Sequence, residues 1–176
     1  SRGKSVVRDG RFKLQLPPLE AGMEHVLQVN CGEESICLHN IAIGEVWLAG
    51  GQSNMEYELQ NCTESDALNR PADDKIRFYY TQKKAYMDED FFRSERQSGW
   101  ECFGGEGTRY WSAVGYFFAV RLQRELGVPV GIIGCNWGGT SASAWMPREA
   151  IAEDVELKIY LDTYDAAVAG KTEEEQ

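Results

Sequence analysis

One stretch decides the predicted fold: residues 44–54, GEVWLAGGQSN. It begins with a short, mostly apolar run at residues 45–49, which is typical of a strand covered on both faces in a parallel sheet. Gly50, Gly51 and Ser53 follow directly. Because glycines permit a sharp turn and a close backbone approach, this turn would present the serine hydroxyl at the edge of the sheet.

Further strands and helices extend this pattern along the chain. Residues 76–80 and 130–135 read as two more buried strands. Residues 81–110 show no clear period, and we expect them to form a long surface loop. Ser112 would open a helix that ends at Gly127, and Pro147 would begin a closing helical region. The expected apolar stripe of the first helix has i+4 spacing: Val114, Phe118, Leu122 and Leu126. Strand, helix, strand and helix in this order predict an α/β fold, a parallel sheet with helices on both faces.

The first part of the chain has a different pattern of apolar and polar residues. Apolar and polar side chains alternate over residues 11–16, which predicts a half-buried strand, and two more short strands are expected at residues 25–29 and 35–38. We therefore expect residues 1–43 to form part of a small antiparallel β unit and residues 44–176 to form an α/β core.

Composition and charge limit the classes of function. Of the 176 residues, 43% are hydrophobic, which excludes a disordered tail, a collagen-like fibre or a coiled coil. A net charge of −10 makes nucleic acid a poor partner, because phosphate backbones repel an acidic chain. No apolar run approaches the roughly 20 residues that span a bilayer, so no membrane partner is expected.

Cysteines and histidines argue against metal or cofactor chemistry. Two histidines in the whole chain exclude a histidine-rich metal centre, and we expect no metal and no cofactor. Five cysteines without a CxxC pair fit free thiols better than a disulfide framework. This pattern favours a cytoplasmic location, and a secreted parent protein stays open.

Two turns that follow strands are the candidate sites, because ligands of open α/β sheets bind beyond the carboxyl ends of the strands. The first contains Ser53, which is either a nucleophile or the N-cap of a helix. The second runs from Trp137 to Thr140, and it is either a simple turn or a cradle for an oxyanion. Trp137 could pack in the interior or serve as a sugar platform. The G-x-S-x-G elbow is not met, because residue 55 is Met55.

Three blocks of sequence resemble one known family. Residues 44–56, 111–118 and 130–140 are similar, in order, to blocks of the sialate O-acetylesterase family of SGNH hydrolases. Residues 11–19 resemble the edge of the small β domain that precedes that family's catalytic core. The resemblance implies an SGNH-hydrolase-like (flavodoxin-like) parallel sheet with helices on both faces, preceded by part of a small antiparallel β domain.

The resemblance also implies an activity: hydrolysis of O-acetyl esters on carbohydrates, such as sialic acid or related acetylated sugars. It makes Ser53 the catalytic nucleophile and assigns the oxyanion hole to the backbone N–H groups of Ser53 and Gly139. The acetylated sugar would then be bound by four side chains of the same two turns: Gln52, Asn54, Trp137 and Thr140.

The catalytic base of the resembled family has no counterpart in this sequence. A serine hydroxyl is a weak nucleophile without a neighbouring base, and the family takes its base from an Asp-x-x-His pair that this chain lacks. His25 and His39 both precede the nucleophile strand, so we expect neither to act on Ser53. Three hypotheses stay open: a part of a longer esterase that is inactive alone, a non-catalytic carbohydrate-binding module, or complementation by another chain's histidine. In the first case, an unpaired sheet edge would promote self-association.

Overall fold

The computed structural model describes residues 2–63, 65–84 and 88–172. They form two compact units, divided after Asn136, and each unit is described in turn. The predicted boundary between residues 43 and 44 stays a prediction.

The first unit contains a mixed sheet of four strands: β3 (Glu45–Gly51), β4 (Asp73–Tyr80), β5 (Glu101–Phe103) and β6 (Val130–Asn136). They lie in the order β3-β6-β4-β5. Strands β3, β6 and β4 are mutually parallel, and β5 runs antiparallel to β4. The predicted α/β fold with a mainly parallel sheet is confirmed, including the strands expected at residues 76–80 and 130–135.

Helices contact both faces of this sheet. Helix α3 (Ala113–Leu126) packs closely on one face, because a Cβ added at Gly115 would lie 3.0 Å from the Phe78 ring and 3.4 Å from Ile132. The side chain of Tyr79 points to the opposite face, since side chains alternate along a strand. Its hydroxyl donates a hydrogen bond to Glu95 of helix α2 (Glu89–Gln97).

The core lies between α3 and the sheet, and aromatic rings dominate it. Trp111 stacks on Phe78 with ring centroids 4.9 Å apart, and Phe103 stacks on Tyr116 at 4.8 Å. Such pairs add to the stabilisation that burial of their area already provides. The other fully buried side chains in this layer include Leu59, Val130 and Ile132.

Helix α3 begins and ends as the sequence predicts, but it buries a different face. The Ser112 hydroxyl accepts a hydrogen bond from the Gly115 N–H at 3.1 Å, and Gly127 adopts the left-handed conformation with φ of 70°. The predicted stripe is wrong, since Val114, Phe118 and Leu126 are exposed. The buried face is instead formed by smaller residues and one tyrosine: Ala113, Gly115, Tyr116, Ala119 and Val120. Glycine and alanine allow the helix axis to approach the sheet closely.

Strand β3 is the outer strand of the described sheet, and the expectation that it is covered on both faces is wrong. Val46 is 60% exposed and Leu48 is 67% exposed. Both point away from the α3 face, on which Trp47 meets Phe118 with ring centroids 5.2 Å apart.

Two other local predictions are wrong. Residues 11–16 do not form a strand, and only an isolated bridge joins Arg8 and Arg11. Residues 81–110, expected as a long surface loop, contain α2 and β5, although residues 85–87 lie outside the described residues. Helix α2 begins because the Asp88 carboxylate accepts a hydrogen bond from the Phe91 N–H at 2.6 Å.

An antiparallel hairpin precedes the sheet. Strands β1 (Gly22–Cys31) and β2 (Glu34–Ile43) pair around a turn at Gly32, which confirms the two strands expected there with greater lengths. The Arg77 guanidinium of β4 donates to the backbone oxygen of Asn40 and to its Oδ1, each at 2.7 Å. These bonds tie the hairpin to the sheet.

The second unit is helical. It contains α4 (Arg148–Glu153) and α5 (Lys158–Val168), which are joined by an ion pair between Arg148 and Asp165 at 2.7 Å. Pro147 is the N-cap of α4 and not its first residue, and the closing helical region is interrupted after Glu153. Across the described ranges, no helix combines the length and the hydropathy needed to cross a bilayer.

Candidate active site at the Ser53 turn

Ser53 lies at the carboxyl end of the sheet, where β3 gives way to the short helix α1 (Ser53–Glu56). Its side chain is exposed, as are those of Gln52 and Asn54. The interpretation of Ser53 as N-cap is wrong, because Gln52 occupies that position. The Ser53 hydroxyl donates to Gln52 Oε1 at 2.8 Å, and the Ser53 backbone N–H donates to the same oxygen at 3.3 Å. One amide oxygen therefore engages both groups of Ser53 that an esterase would use.

The turn before Ser53 requires glycine. Gly51 has a φ of 150°, and a Cβ at this position would lie 3.1 Å from the Cβ of Met55. Met55 in turn packs against the hydrophobic core, and its sulfur lies 3.5 Å from the hydroxyl oxygen of Ser112, the N-cap of α3. The carboxylate of Glu56, at the end of α1, pairs with Lys83, which follows β4. The turn that carries Ser53 is thus held by the packing of Met55 and by the ion pair between Glu56 and Lys83.

Asn136 is a site residue that the sequence did not indicate. It ends β6, directly opposite Gly51 in the parallel register, and is only 3% exposed. Its buried side-chain amide lies beside the Tyr80 hydroxyl, and a hydrogen bond between the two side chains opposes part of the rise in the pKa of that phenol. Asn136 therefore links the ends of β6 and β4 next to the serine turn. The one signal in the sequence was a polar residue at the end of an apolar strand.

Tyr80 ends β4 at the same edge of the sheet. Its ring lies against Gly134, where an added Cβ would be 2.5 Å from a ring carbon, and its hydroxyl donates to the backbone oxygen of Tyr110 at 3.2 Å. Burial raises the pKa of Tyr80 above its ordinary value. The Tyr80 phenol therefore ionises only at a more alkaline pH than a free phenol, and its neutral form is the donor to Tyr110.

The second predicted turn belongs to the helical unit and is described by its own contacts. Gly139 has a φ of 79°, which favours glycine. The Thr140 hydroxyl donates to the backbone oxygen of Trp137 at 2.7 Å and accepts from the indole N–H of Trp145 at 2.8 Å. Trp137 is 40% exposed, so part of its ring faces solvent. The roles of Trp137, Gly139 and Thr140 in binding stay predictions.

The described residues do not supply a histidine base to Ser53. His25 and His39 both lie in the hairpin that precedes β3. His39 lines a pocket together with Glu45 and Val130, which begin β3 and β6, and this is the end of the sheet opposite to Ser53. Within the same described ranges, no cluster of three or more metal-ligating side chains occurs. All five cysteines are free thiols.

Comparison with known proteins shows that this chain is similar to sialate O-acetylesterases. No family model matches the chain. It is 32% identical over 118 residues to sialate O-acetylesterase of Pongo abelii, aligning 61% of this chain with 22% of that protein. It is 27% identical over 149 residues to the enzyme of that name from Mus musculus, aligning 77% of this chain with 27% of that protein.

A solved structure agrees with these sequences. The crystal structure of a carbohydrate acetylesterase from Xanthomonas citri aligns with a TM-score of 0.69 at 30% identity, covering 79% of this chain and 32% of that one. The chain thus spans about a quarter of the length of the curated relatives it matches. The predicted resemblance is confirmed: over most of its length, this chain is similar in sequence to the sialate O-acetylesterases and in fold to a carbohydrate acetylesterase.

Proposed function

We propose that this chain carries the nucleophile of an enzyme that removes O-acetyl groups from carbohydrates, and that Ser53 is that nucleophile. One observation carries the proposal. The exposed hydroxyl of Ser53 stands at the carboxyl end of a parallel strand, in a chain whose relatives are named as carbohydrate or sialate esterases. Ligands of open α/β sheets bind at that edge.

The reaction would proceed in two steps. The Ser53 oxygen attacks the carbonyl carbon of the acetyl ester, the bond between that carbon and the sugar oxygen breaks, and the serine proton passes through a base to the leaving sugar. Water then hydrolyses the acetyl-serine and releases acetate. Gln52 Oε1, the acceptor of the serine hydroxyl, is an amide oxygen and is far too weak a base for this step. The proposal therefore takes its histidine from outside the described residues or from another chain.

The oxyanion would be held by the backbone N–H groups of Ser53 and Gly139, as in the sequence-based prediction. In the structure, the Ser53 N–H is engaged by Gln52 Oε1 through a long bond of 3.3 Å. Substrate binding would thus require the Gln52 side chain to rotate away, after which it could bind the sugar together with Asn54, Trp137 and Thr140. Removing one such N–H donor typically costs on the order of 100-fold or more in rate.

The decisive experiment compares Ser53→Ala with the control Ser35→Ala in the complete protein that contains this chain. Ser35 is also exposed, but it lies in the hairpin. Acetate release from an acetylated monosaccharide should fall by at least about 10⁴-fold in the first variant and stay unchanged in the second. Retained turnover by Ser53→Ala would place the nucleophile elsewhere.

The absence of a histidine near Ser53 within the described part of the chain favours one alternative, a non-catalytic carbohydrate-binding module. In that case the complete protein would bind acetylated sugars and release no acetate. Equilibrium binding of an acetylated and a deacetylated sugar, measured beside the acetate assay, separates the two functions.

We also propose that the exposed edge of β3 mediates self-association of this chain when it is studied alone. Val46 and Leu48 are exposed on this strand, and unpaired strand edges promote pairing between chains. Sedimentation should show association that Leu48→Lys weakens and that Leu126→Lys, an exposed leucine on α3, leaves unchanged. A clean monomer at all concentrations would refute this role.

A further inference from the structure

A pocket of about 450 Å³ lies at the amino end of β4, away from the edge that carries Ser53. Its floor is apolar: Pro71 and Ala72 are exposed there, and beneath them lie the almost fully buried side chains of Ile76, Phe103, Tyr116 and Val120. Its rim is polar and carries Arg70, Gln123 and Arg124, with Asp73 beside them. The volume falls in the range of small-molecule sites, which combine an apolar floor with a few polar groups.

Arg70 is held in place without a carboxylate partner. Its guanidinium carbon lies 6.0 Å from the ring centroids of both Tyr116 and Phe117, and one guanidinium nitrogen donates to the Tyr116 hydroxyl at 3.4 Å. Among the described residues, no acidic side chain forms an ion pair with Arg70 or Arg124. Other arginines of this acidic chain do have such partners: Arg121 pairs with Glu125, and Arg148 pairs with Asp165.

The remaining donors of Arg70 are suited to a carboxylate. A guanidinium is planar and presents parallel N–H groups that match the two oxygens of a carboxylate. The two ring contacts and the hydrogen bond to Tyr116 restrict the guanidinium, so less side-chain freedom is lost on binding. Arg70 is partly buried, which weakens the competition from water.

The charge around the pocket selects the kind of anion. Asp73 lies on the rim, where its carboxylate accepts a hydrogen bond from the Lys75 N–H at 2.9 Å. Its negative charge and the net charge of −10 repel anions. Because this repulsion is stronger for a doubly charged phosphate, the pocket favours an anion with a single negative charge. The apolar floor favours a ligand with a carbon ring over a bare ion.

We propose that this pocket binds a small organic carboxylate of about the size of one sugar ring. The carboxylate contacts Arg70 and Arg124, and the carbon skeleton lies against the exposed Pro71 and Ala72. This inference goes beyond the proposed function and does not depend on it, because it involves neither Ser53 nor any catalytic step.

The test is a titration of the chain with glucuronate, glucose and inorganic phosphate, followed by calorimetry and by amide NMR shifts. Glucuronate carries a carboxylate on a sugar ring, glucose has the ring without the charge, and phosphate has charge without the ring. We expect saturable binding of glucuronate alone, with shifts at residues 70–76 and along α3. Equal binding of glucose, stronger binding of phosphate, or glucuronate shifts confined to the Ser53 turn would overturn the proposal.

Variants locate the binding groups. Arg70→Gln and Arg124→Gln should each weaken glucuronate binding by at least about tenfold, and Arg70→Lys should also weaken it because the planar fork is lost. The control is Arg121→Gln, which removes a paired arginine on α3 outside the pocket. Arg124 is exposed, so its variant tests the proposal even if a change at Arg70 prevents folding. Unchanged affinity in Arg124→Gln and Arg70→Lys would refute it.

Discussion

Replacing Gly134 by alanine tests how the sheet edge beside the Ser53 turn is packed. Gly134 lies in the central strand β6, opposite Ala49 of β3 and Tyr80 of β4. An added Cβ would lie 2.5 and 2.7 Å from two carbons of the Tyr80 ring and 3.0 Å from the Phe78 ring. Ordinary contacts of a Cβ begin at 3.4 Å, so at least one ring must move.

The two rings differ in their freedom to move. Phe78 is 1% exposed and stacks on Trp111, so the Tyr80 ring must yield. Overpacking of this kind costs about 1–3 kcal/mol. Displacing the ring also breaks the 3.2 Å bond from the Tyr80 hydroxyl to Tyr110, a loss of about 1 kcal/mol. A total of about 2–4 kcal/mol corresponds to a fall in Tm of roughly 4–16 °C for a chain of this size.

The assay is chemical and thermal unfolding of Gly134→Ala beside the control Gly99→Ala. An alanine Cβ at Gly99 meets nothing within 4 Å, so that variant should change the free energy of unfolding by less than about 0.5 kcal/mol. Both substitutions are then repeated with Tyr80→Leu. Because leucine leaves room beside residue 134, the cost of Gly134→Ala should fall by at least about 1 kcal/mol in that background.

The reasoning is refuted if Gly134→Ala is as stable as the wild-type chain. It is also refuted if the cost of Gly134→Ala is the same with tyrosine and with leucine at position 80, because the contact with the ring would then not be the cause.

Three further substitutions test other parts of the first unit. Ser112→Ala leaves the Gly115 N–H without its acceptor and should cost about 1–2 kcal/mol, measured as a lower urea midpoint; an unchanged midpoint would contradict the cap. Burial raises the pKa of Tyr80 above the ordinary 10.0, so its stabilising contribution is complete below pH 10 and is lost as pH rises through the folded-state pKa. Above pH 10, the free energy of unfolding of Tyr80→Phe should therefore fall less with pH than that of the wild-type chain. If the two plots of this free energy against pH are parallel, ionisation of Tyr80 does not cause the loss of stability. Gly127→Ala places a Cβ at a φ of 70° and should cost about 1–2 kcal/mol in thermal unfolding; no loss of stability would mean that the helix ends differently.

Features set by neighbouring residues could be predicted from the sequence. The cap of α3 at Ser112 and its end at Gly127 depend on hydrogen bonds and conformations within a few residues, so they appear where the sequence places them. The same holds for strands β4 and β6 and for the turn at Gly51, where a positive φ favours glycine. The wrong prediction of a loop at 81–110 shows the limit of periodicity, because a single side-chain cap at Asp88 begins a helix there.

Which surface each element buries was decided by the tertiary structure. Val114 and Phe118 repeat at helical spacing, yet the sheet packs on the face of α3 that carries Gly115 and Ala119, because small side chains allow a closer approach. Val46 and Leu48 form an apolar run, yet they are exposed because β3 is the outer strand. In the sequence, Asn136 is only the polar residue that ends a strand, and its position opposite Gly51 follows from the register of β3 and β6. The sequence alone thus determined the turn at Ser53, the two caps of α3 and the family resemblance, since these depend on adjacent residues. Burial and register depend on contacts between segments far apart in the chain, and only folding brings those segments together.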